Sequence, residues 1–379
     1  MPPDPYATAL LDWLGCAVGG WDEPAARAAR ATGDATLALA TAGHVLDYDD
    51  TYLPGLAHLS APTAPVGLAL AAEHGASLSE AMDAYQAGFE AMGAMARSCH
   101  PALYQGGWHP TAVCGSVGAA TTAARILGLD QDAERTAVSI ALLRASGLRA
   151  AFGSDGKALQ VGLAASTGVA AARLAAAGAS VPLAETAYGD AGFDAAFGAS
   201  FAQPAGTPAV DENWIKAWPC CLQTHGAIEA AGRARGEGLA AGAEVQVAVH
   251  PLSLRAAAYG AEVADGLQAK FSIPYCTALT LSAGEPGRES FERVDPAVVA
   301  AARRVTVSTD PDLLESEAVL TGDGHELRVR AARGSPQHPL DPEALEQKLR
   351  DLGGERLVGI LDDPDQPAGT VLAAAGLDT

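Results

Sequence analysis

The sequence predicts a mainly α-helical protein that carries a smaller α/β domain. Residues 7–179 form Ala-, Leu- and Gly-rich blocks of helical length with little β-branched alternation. Polar and apolar residues then alternate with the period of half-buried strands over residues 244–250, 304–308 and 326–330. An Asp-Pro pair at 341–342 starts a further helix. We therefore expect a helical domain over residues 1–205, an α/β lid over 206–339, and a segment over 340–379 that returns to the helical domain.

Apolar periodicity and capping residues predict the individual helices. Residues 78–95 place Ala81, Tyr85, Phe89 and Met92 on one stripe, as in an amphipathic helix. Asp130 is the expected N-cap of another helix. Further helices are predicted over residues 111–128, 130–148, 272–283, 295–303 and 343–352.

Composition limits the classes of partner and the compartment. Of 379 residues, 49% are hydrophobic and 18% are charged, which is typical of a folded chain. The net charge of −21 repels phosphate backbones and anionic lipids, so neither nucleic acid nor a membrane surface is an expected partner. No signal peptide is predicted, since the first basic residue is Arg27. Six cysteines without a C-x-x-C pair favour reduced thiols in a cytoplasm and offer no zinc or cluster motif.

The densest polar cluster is the acidic segment at residues 44–51, His-Val-Leu-Asp-Tyr-Asp-Asp-Thr. Three buried carboxylates so close together need a cation, a proton or backbone donors. Asp47 is the strongest functional candidate. For Asp49 and Asp50, a role in the site and a role as N-cap of the next helix are equally well supported. The letters also fit the D-x-D-x-T loop of haloacid-dehalogenase-like phosphatases and the D-x-D-D motif of some terpene cyclases. The phosphatase loop should follow a buried strand, whereas residues 35–44 are predicted to be helical.

Basic side chains point to an anion-binding site. His109 follows a Gly-Gly turn at a helix start, where the helix dipole favours a neutral imidazole and a bound anion. The 24 basic residues include only four lysines, Lys157, Lys216, Lys270 and Lys348. A lysine retained in an arginine background is expected where a compact ammonium is needed. We expect this of Lys157 and Lys216, and expect Lys270 and Lys348 to be solvated.

In their order and spacing, these segments resemble the MmgE/PrpD family, which includes 2-methylcitrate dehydratase, cis-aconitate decarboxylase and iminodisuccinate epimerase. The family's H-x-L-D-F-D-D-T is matched at residues 44–51 and its H-P-S at 58–60. The remaining matches are G-F-H-P-T at 107–111, A-A-A-x-L-L-G-L-D at 123–130, K-P-L-H-A-G at 157–162, K-P-Y-P-C at 216–220 and F-S-L-P-Y at 271–275.

The resemblance implies a fold and an active site. The fold is a large all-helical domain, built from the N-terminal part and the C-terminal tail, with an α/β lid between them. The site lies between the domains of what is usually a homodimer, binds small di- or tricarboxylates, and needs no cofactor or metal. The expected catalytic residues are His58 and His109 as acid and base, Tyr275 as a supporting donor and Asp47 as an orienting group. The expected substrate-binding residues are Lys157, Lys216, Thr51, Gln160 and Arg144, with Arg149 as an alternative to Arg144.

The expected function is a metal-independent lyase that dehydrates or decarboxylates such a substrate by acid/base chemistry next to a carboxylate. Three departures from the family pattern weaken transfer of one particular reaction. Leu59 replaces a proline, Gln160 replaces a histidine, and the chain is short between residues 20 and 44. An epimerase or isomerase is the main alternative. A catalytically inactive binding protein and a phosphatase that uses Asp47 and Asp49 are more distant alternatives.

Overall fold

The computed structural model describes residues 4–201 and 206–378. Its N-terminal part is helical, and the helices are listed here in chain order. They are α1 (Pro5–Gly20), α2 (Pro24–Arg30), α3 (Ala35–Val45), α4 (Ser60–His74), α5 (Leu78–Cys99), α6 (Ala102–Gln105), α7 (Pro110–Ile126), α8 (Gln131–Leu143), α9 (Gly156–Ala176), α10 (Leu183–Tyr188) and α11 (Phe193–Phe197). This helical domain forms one wall of the candidate active site described in the next subsection.

Side-chain caps and small residues explain how these helices start and pack. Asp130 accepts a hydrogen bond from the backbone N–H of Ala133, which confirms it as the N-cap of α8. Ser77 and Glu80 form a capping box at the start of α5. At Gly168 in α9 an added Cβ would lie 2.4 Å from the Cβ of Ala119, so only glycine lets α9 approach α7 this closely.

The lid contains the predicted sheet and a strand that the sequence pattern missed. Its helices are α12 (Leu222–Gly236), α13 (Pro251–Ala256), α14 (Gly266–Ala269), α15 (Ile273–Ala283) and α16 (Pro296–Ala302). Its strands are β3 (Val245–Val249), β4 (Val305–Thr309), β5 (Ala318–Gly322) and β6 (His325–Val329), in the order β4-β3-β5-β6. β3 pairs in parallel with β4, whereas β3 with β5 and β5 with β6 pair antiparallel. The predicted fold class, mainly helical with a small mixed α/β part, is confirmed.

A strand pair and the tail helices help to join the lid to the helical domain. β1 (Thr51–Tyr52) pairs antiparallel with β2 (Asn213–Trp214), which ties the acidic segment to the start of the lid. The tail helices α17 (Pro342–Asp351) and α18 (Ala368–Ala375) pack against the helical domain, because Leu349, Val371 and Leu372 belong to its hydrophobic core.

One helix of the described chain, α9, is long and apolar enough to cross a bilayer by length and composition alone. About 61% of its most apolar stretch is buried within the protein, where it packs against α3 and α7. Its apolar character is therefore that of a core helix.

Candidate active site

The centre of the site is the turn of residues 46–48, directly after α3. Asp47 occupies the left-handed region with φ of 53°, and its side chain is buried. The carboxylate Oδ1 accepts from Lys157 Nζ at 2.8 Å and from Lys216 Nζ at 2.9 Å, and Lys216 also donates to the Asp47 carbonyl at 2.9 Å. Burial alone would raise the pKa of Asp47, but the two ammonium groups outweigh it and hold this pKa well below its usual range.

The other two lysines hold the main chain of the same turn. Lys270 donates to the carbonyl of Leu46 at 2.6 Å, and burial lowers its pKa to about 8. Lys348 donates to the carbonyls of Tyr48 at 2.8 Å and Lys216 at 3.0 Å. The expectation that Lys270 and Lys348 are solvated is therefore wrong, since they are only 7% and 3% exposed. All four lysines of the chain converge on three consecutive residues.

Asp49 orients two histidines. Its Oδ2 atom lies 2.8 Å from His44 Nδ1 and 3.1 Å from His58 Nδ1. Because an ionised carboxylate only accepts, a proton on Nδ1 is favoured in both rings. His58 Nδ1 also lies 3.4 Å from Thr51 Oγ1, and His58 Nε2, which keeps its lone pair, lies 3.7 Å from Asp47 Oδ1. Burial lowers the pKa of His58 to about 3, so its imidazole is neutral at neutral pH. His44 is also saturated at Nε2, which accepts from Lys157 at 2.9 Å.

His109 has the opposite tautomer. It is the N-cap residue of α7, and Gln160 Nε2 lies 2.7 Å from its Nδ1 atom. The amide orientation of Gln160 follows from Oε1, which accepts the backbone N–H of Leu148 at 2.9 Å. The NH₂ group therefore donates to His109 Nδ1, and the ring proton is on Nε2. Burial, and then the charge of Lys157, lowers the pKa of His109 well below its usual value, in line with the predicted neutral imidazole.

One cavity between the helical domain and the lid joins these groups. Its volume is about 50 Å³. The predicted site residues that line it are Asp47, Thr51, His58, His109, Lys157 and Lys216. The rings of Phe152 and Phe271, each centred 5.7 Å from Lys157 Nζ, form apolar walls. Tyr104 and Gln223, which no sequence motif indicated, also line the cavity.

Three predicted site residues lie elsewhere or act differently. Tyr275 is in the lid core, and its hydroxyl accepts from the backbone N–H of Asp295 at 3.2 Å, so its predicted donor role has no geometric support. Arg144 is exposed and lies directly after α8. The predicted helix over residues 130–148 ends early, at Leu143, and Arg144 belongs to the turn that follows. Gln160 does not line the cavity and instead orients His109.

The acidic segment neutralises its three carboxylates in three ways. Asp47 binds lysines and Asp49 binds histidines, so of the two roles left open for Asp49 the structure does not support the helix cap. Asp50 accepts from Asn213 Nδ2 at 2.8 Å and from the backbone N–H of Ser60, the first residue of α4. Burial, and then the charge of Asp49, raises the pKa of Asp50 to about 8, so it is protonated at neutral pH.

Neither metal coordination nor the phosphatase motif fits this geometry. His44, Asp49 and His58 place ligand-type atoms within 4.8 Å of one another. However, His44 Nε2 accepts from an ammonium, so its Nδ1 atom carries a proton and has no lone pair for a metal. The phosphatase loop requires a preceding buried strand, and helix α3 precedes Asp47.

Comparison with protein families accounts for both parts of the chain. Residues 31–206 match the model of the MmgE/PrpD N-terminal domain, and residues 218–360 match the model of the MmgE/PrpD C-terminal domain. No individual curated protein matches the chain significantly. Together the two matched segments span most of the chain, and the family is one that includes lyases such as dehydratases. The chain belongs to the MmgE/PrpD family.

Proposed function

We propose that this protein is a metal-independent lyase that acts on a small di- or tricarboxylate by moving a proton at the carbon next to a carboxylate. The observation that carries the proposal is the opposite tautomers of two neutral histidines on one cavity. His58 offers a lone pair at Nε2, and His109 offers an N–H at Nε2. A base and a hydrogen-bond donor are thus available before substrate binds.

The two lysines supply the carboxylate-binding groups. Lys157 uses two of its three ammonium protons on Asp47 and His44, and Lys216 uses two on Asp47. Each ammonium therefore keeps one proton for a substrate oxygen. Removing a proton next to that carboxylate develops enediolate-like charge, which two fixed ammonium groups between apolar walls stabilise.

His58 is the base in this mechanism. Its low pKa makes it a weak base in the free enzyme, but Asp49 faces its Nδ1–H and stabilises the imidazolium as it forms. A neutral His109 donates from Nε2 to the leaving group or to the developing oxyanion, as neutral imidazoles do in other enzymes. Loss of water uses both groups. Loss of carbon dioxide instead leaves the electron pair of the broken C–C bond on carbon, and this carbanion takes its proton from His109 Nε2.

Epimerisation is the second candidate, because both histidines line the same cavity and each has a different ring nitrogen protonated. One removes a proton and the other returns one. The homodimer that the family resemblance implies remains a prediction, which sedimentation velocity measures.

The test is an NMR screen of small polycarboxylates incubated with the protein in D₂O, with and without EDTA. An alkene signal reports elimination, a lost carboxyl carbon reports decarboxylation, and deuterium uptake without net change reports epimerisation or exchange. Activity that survives EDTA supports the proposal. A required divalent metal, magnesium-dependent phosphate release, or binding of every carboxylate without any turnover would contradict it. Asp47→Asn should impair turnover strongly, because it weakens the hold on both lysines.

A further inference from the structure

Two buried polar side chains of the cavity have no partner. Tyr104, in α6, is 3% exposed, and Gln223, the second residue of α12, is 5% exposed. Among the described residues, no group hydrogen-bonds to the Tyr104 hydroxyl or to either amide atom of Gln223. Buried polar atoms are normally paired, because leaving them unpaired costs free energy. Both side chains line the cavity that holds the histidines and lysines, so a bound ligand is the natural partner.

The position of Tyr104 is fixed by its neighbour Arg149. The Arg149 guanidinium carbon lies 4.0 Å from the centre of the Tyr104 ring, and Nη1 donates to the Tyr104 carbonyl at 2.8 Å. Burial raises the pKa of Tyr104 above its usual value, so the phenol keeps its proton as a donor. Tyr104 belongs to the helical domain and Gln223 to the lid, which places these groups on walls from both parts of the protein.

We propose that Tyr104 and Gln223 form a subsite for a hydroxyl group of the substrate, and so select hydroxylated carboxylates over their deoxy analogues. This inference rests on the proposed function, in which Lys157 and Lys216 hold a carboxylate. A hydroxyl both donates and accepts, so it pairs with the Gln223 Oε1 atom as donor and with Tyr104 or the Gln223 NH₂ as acceptor. A carboxylate in the same place can only accept, so it leaves Gln223 Oε1 unpaired. A deoxy analogue, with hydrogen in place of the hydroxyl, leaves Oε1, the Gln223 NH₂ group and the Tyr104 hydroxyl unpaired.

The experiment compares ligands that differ by one hydroxyl: citrate with tricarballylate, and malate with succinate. Dissociation constants are measured by calorimetry for the wild type, Tyr104→Phe and Gln223→Met. We expect the hydroxylated member to bind roughly 10-fold more tightly to the wild type, the worth of about one hydrogen bond, and each variant to lose most of that ratio. Lys157→Gln is the matched control, since it should weaken both members of a pair alike and keep the ratio.

Thermal unfolding of the free protein gives an independent readout. Because neither side chain loses a hydrogen bond, Tyr104→Phe and Gln223→Met should unfold at the wild-type temperature or above it. Marked destabilisation by both would assign them a structural role and overturn the subsite. Carboxylate binding with equal affinity for hydroxylated and deoxy members would also overturn the subsite, while leaving the proposed function intact. No binding of any member would contradict the proposed function and the subsite together.

Discussion

Replacing Asp49 by Asn tests the assignment of His58 as the base. One Asp49 oxygen accepts from His44 Nδ1 at 2.8 Å and lies 3.1 Å from His58 Nδ1. Asparagine has the same shape and keeps its amide oxygen toward both rings, because His44 must carry its proton at Nδ1 while Nε2 accepts from Lys157. The variant carries no negative charge, however, so it no longer stabilises the imidazolium that forms when His58 takes a proton. In serine proteases the equivalent Asp→Asn change lowers kcat by about 10⁴-fold, so we expect a loss on the order of 10³–10⁴ here.

Substrate binding should change little in Asp49→Asn, because Lys157 and Lys216 bond to Asp47 and not to Asp49. The assay combines single-turnover kinetics with ¹⁵N NMR of the histidines, which distinguishes the two tautomers directly. Asp50→Asn is the matched control. Asp50 is already protonated at pH 7, so its amide variant should keep kcat near the wild-type value. Wild-type turnover in Asp49→Asn, or an equal loss in both variants, would refute the assignment.

Three further predictions concern catalysis and stability. His58→Ala and His109→Ala should each lower kcat by roughly 10²–10⁴-fold in steady-state kinetics. The loss in the double variant should be much smaller than the product of the two single losses. Near-wild-type turnover in both single variants would contradict the mechanism. Asp50 holds its proton up to about pH 8 in the folded state but only to about pH 4 in the unfolded state. The stability that this difference contributes is complete below about pH 4 and is lost as the pH rises through about 8. Urea unfolding should therefore show Asp50→Asn gaining on the order of 2 kcal/mol relative to wild type between pH 6 and pH 9, and a pH-independent difference would be inconsistent with that pKa. Lys348 Nζ lies 2.5 Å from Asp12 Oδ1 in the interior. Lys348→Met should therefore lower the free energy of unfolding by about 3–5 kcal/mol, because it leaves the Asp12 charge buried and unpaired. The double variant Asp12→Asn/Lys348→Met should lose less, and equal losses would count against an unpaired charge as the cause.

Local patterns were sufficient to predict most elements, because those elements depend on neighbouring residues. The predicted strands at 244–250, 304–308 and 326–330 agree within one residue with β3, β4 and β6 at each end. β5 was missed because its five residues, Ala-Val-Leu-Thr-Gly, do not alternate clearly between polar and apolar types. The predicted helix at 130–148 is five residues too long, since the turn after α8 is set by contacts with the His109 loop.

The site was predictable where side chains meet side chains within a motif. The scarcity of lysine identified Lys157 and Lys216, but it assigned Lys270 and Lys348 to the surface. Their partners are backbone carbonyls of the turn at residues 46–48, and a carbonyl has no sequence signature. The predicted place of Tyr275 in the site has no support from the structure for a related reason. The direction of its ring depends on how its helix packs in the lid.

The charges around the turn explain how so acidic a protein can bind an anion. At neutral pH the ammonium groups of Lys157, Lys216 and Lys270 lie around the carboxylates of Asp47 and Asp49, and Lys348 is paired with Asp12. One positive charge is therefore in excess at this turn, inside a chain of net charge −21. Asp50 adds no charge while it is protonated. Two of these groups titrate near pH 8, since the pKa of Asp50 is raised to about 8 and that of Lys270 is lowered to about 8. As the pH rises through this value, one negative charge appears and one positive charge disappears, so the excess changes sign. Carboxylate affinity, measured by calorimetry, should therefore fall steeply above about pH 8, and should fall less in Asp50→Asn; an affinity that stays constant to pH 10 would contradict this charge balance.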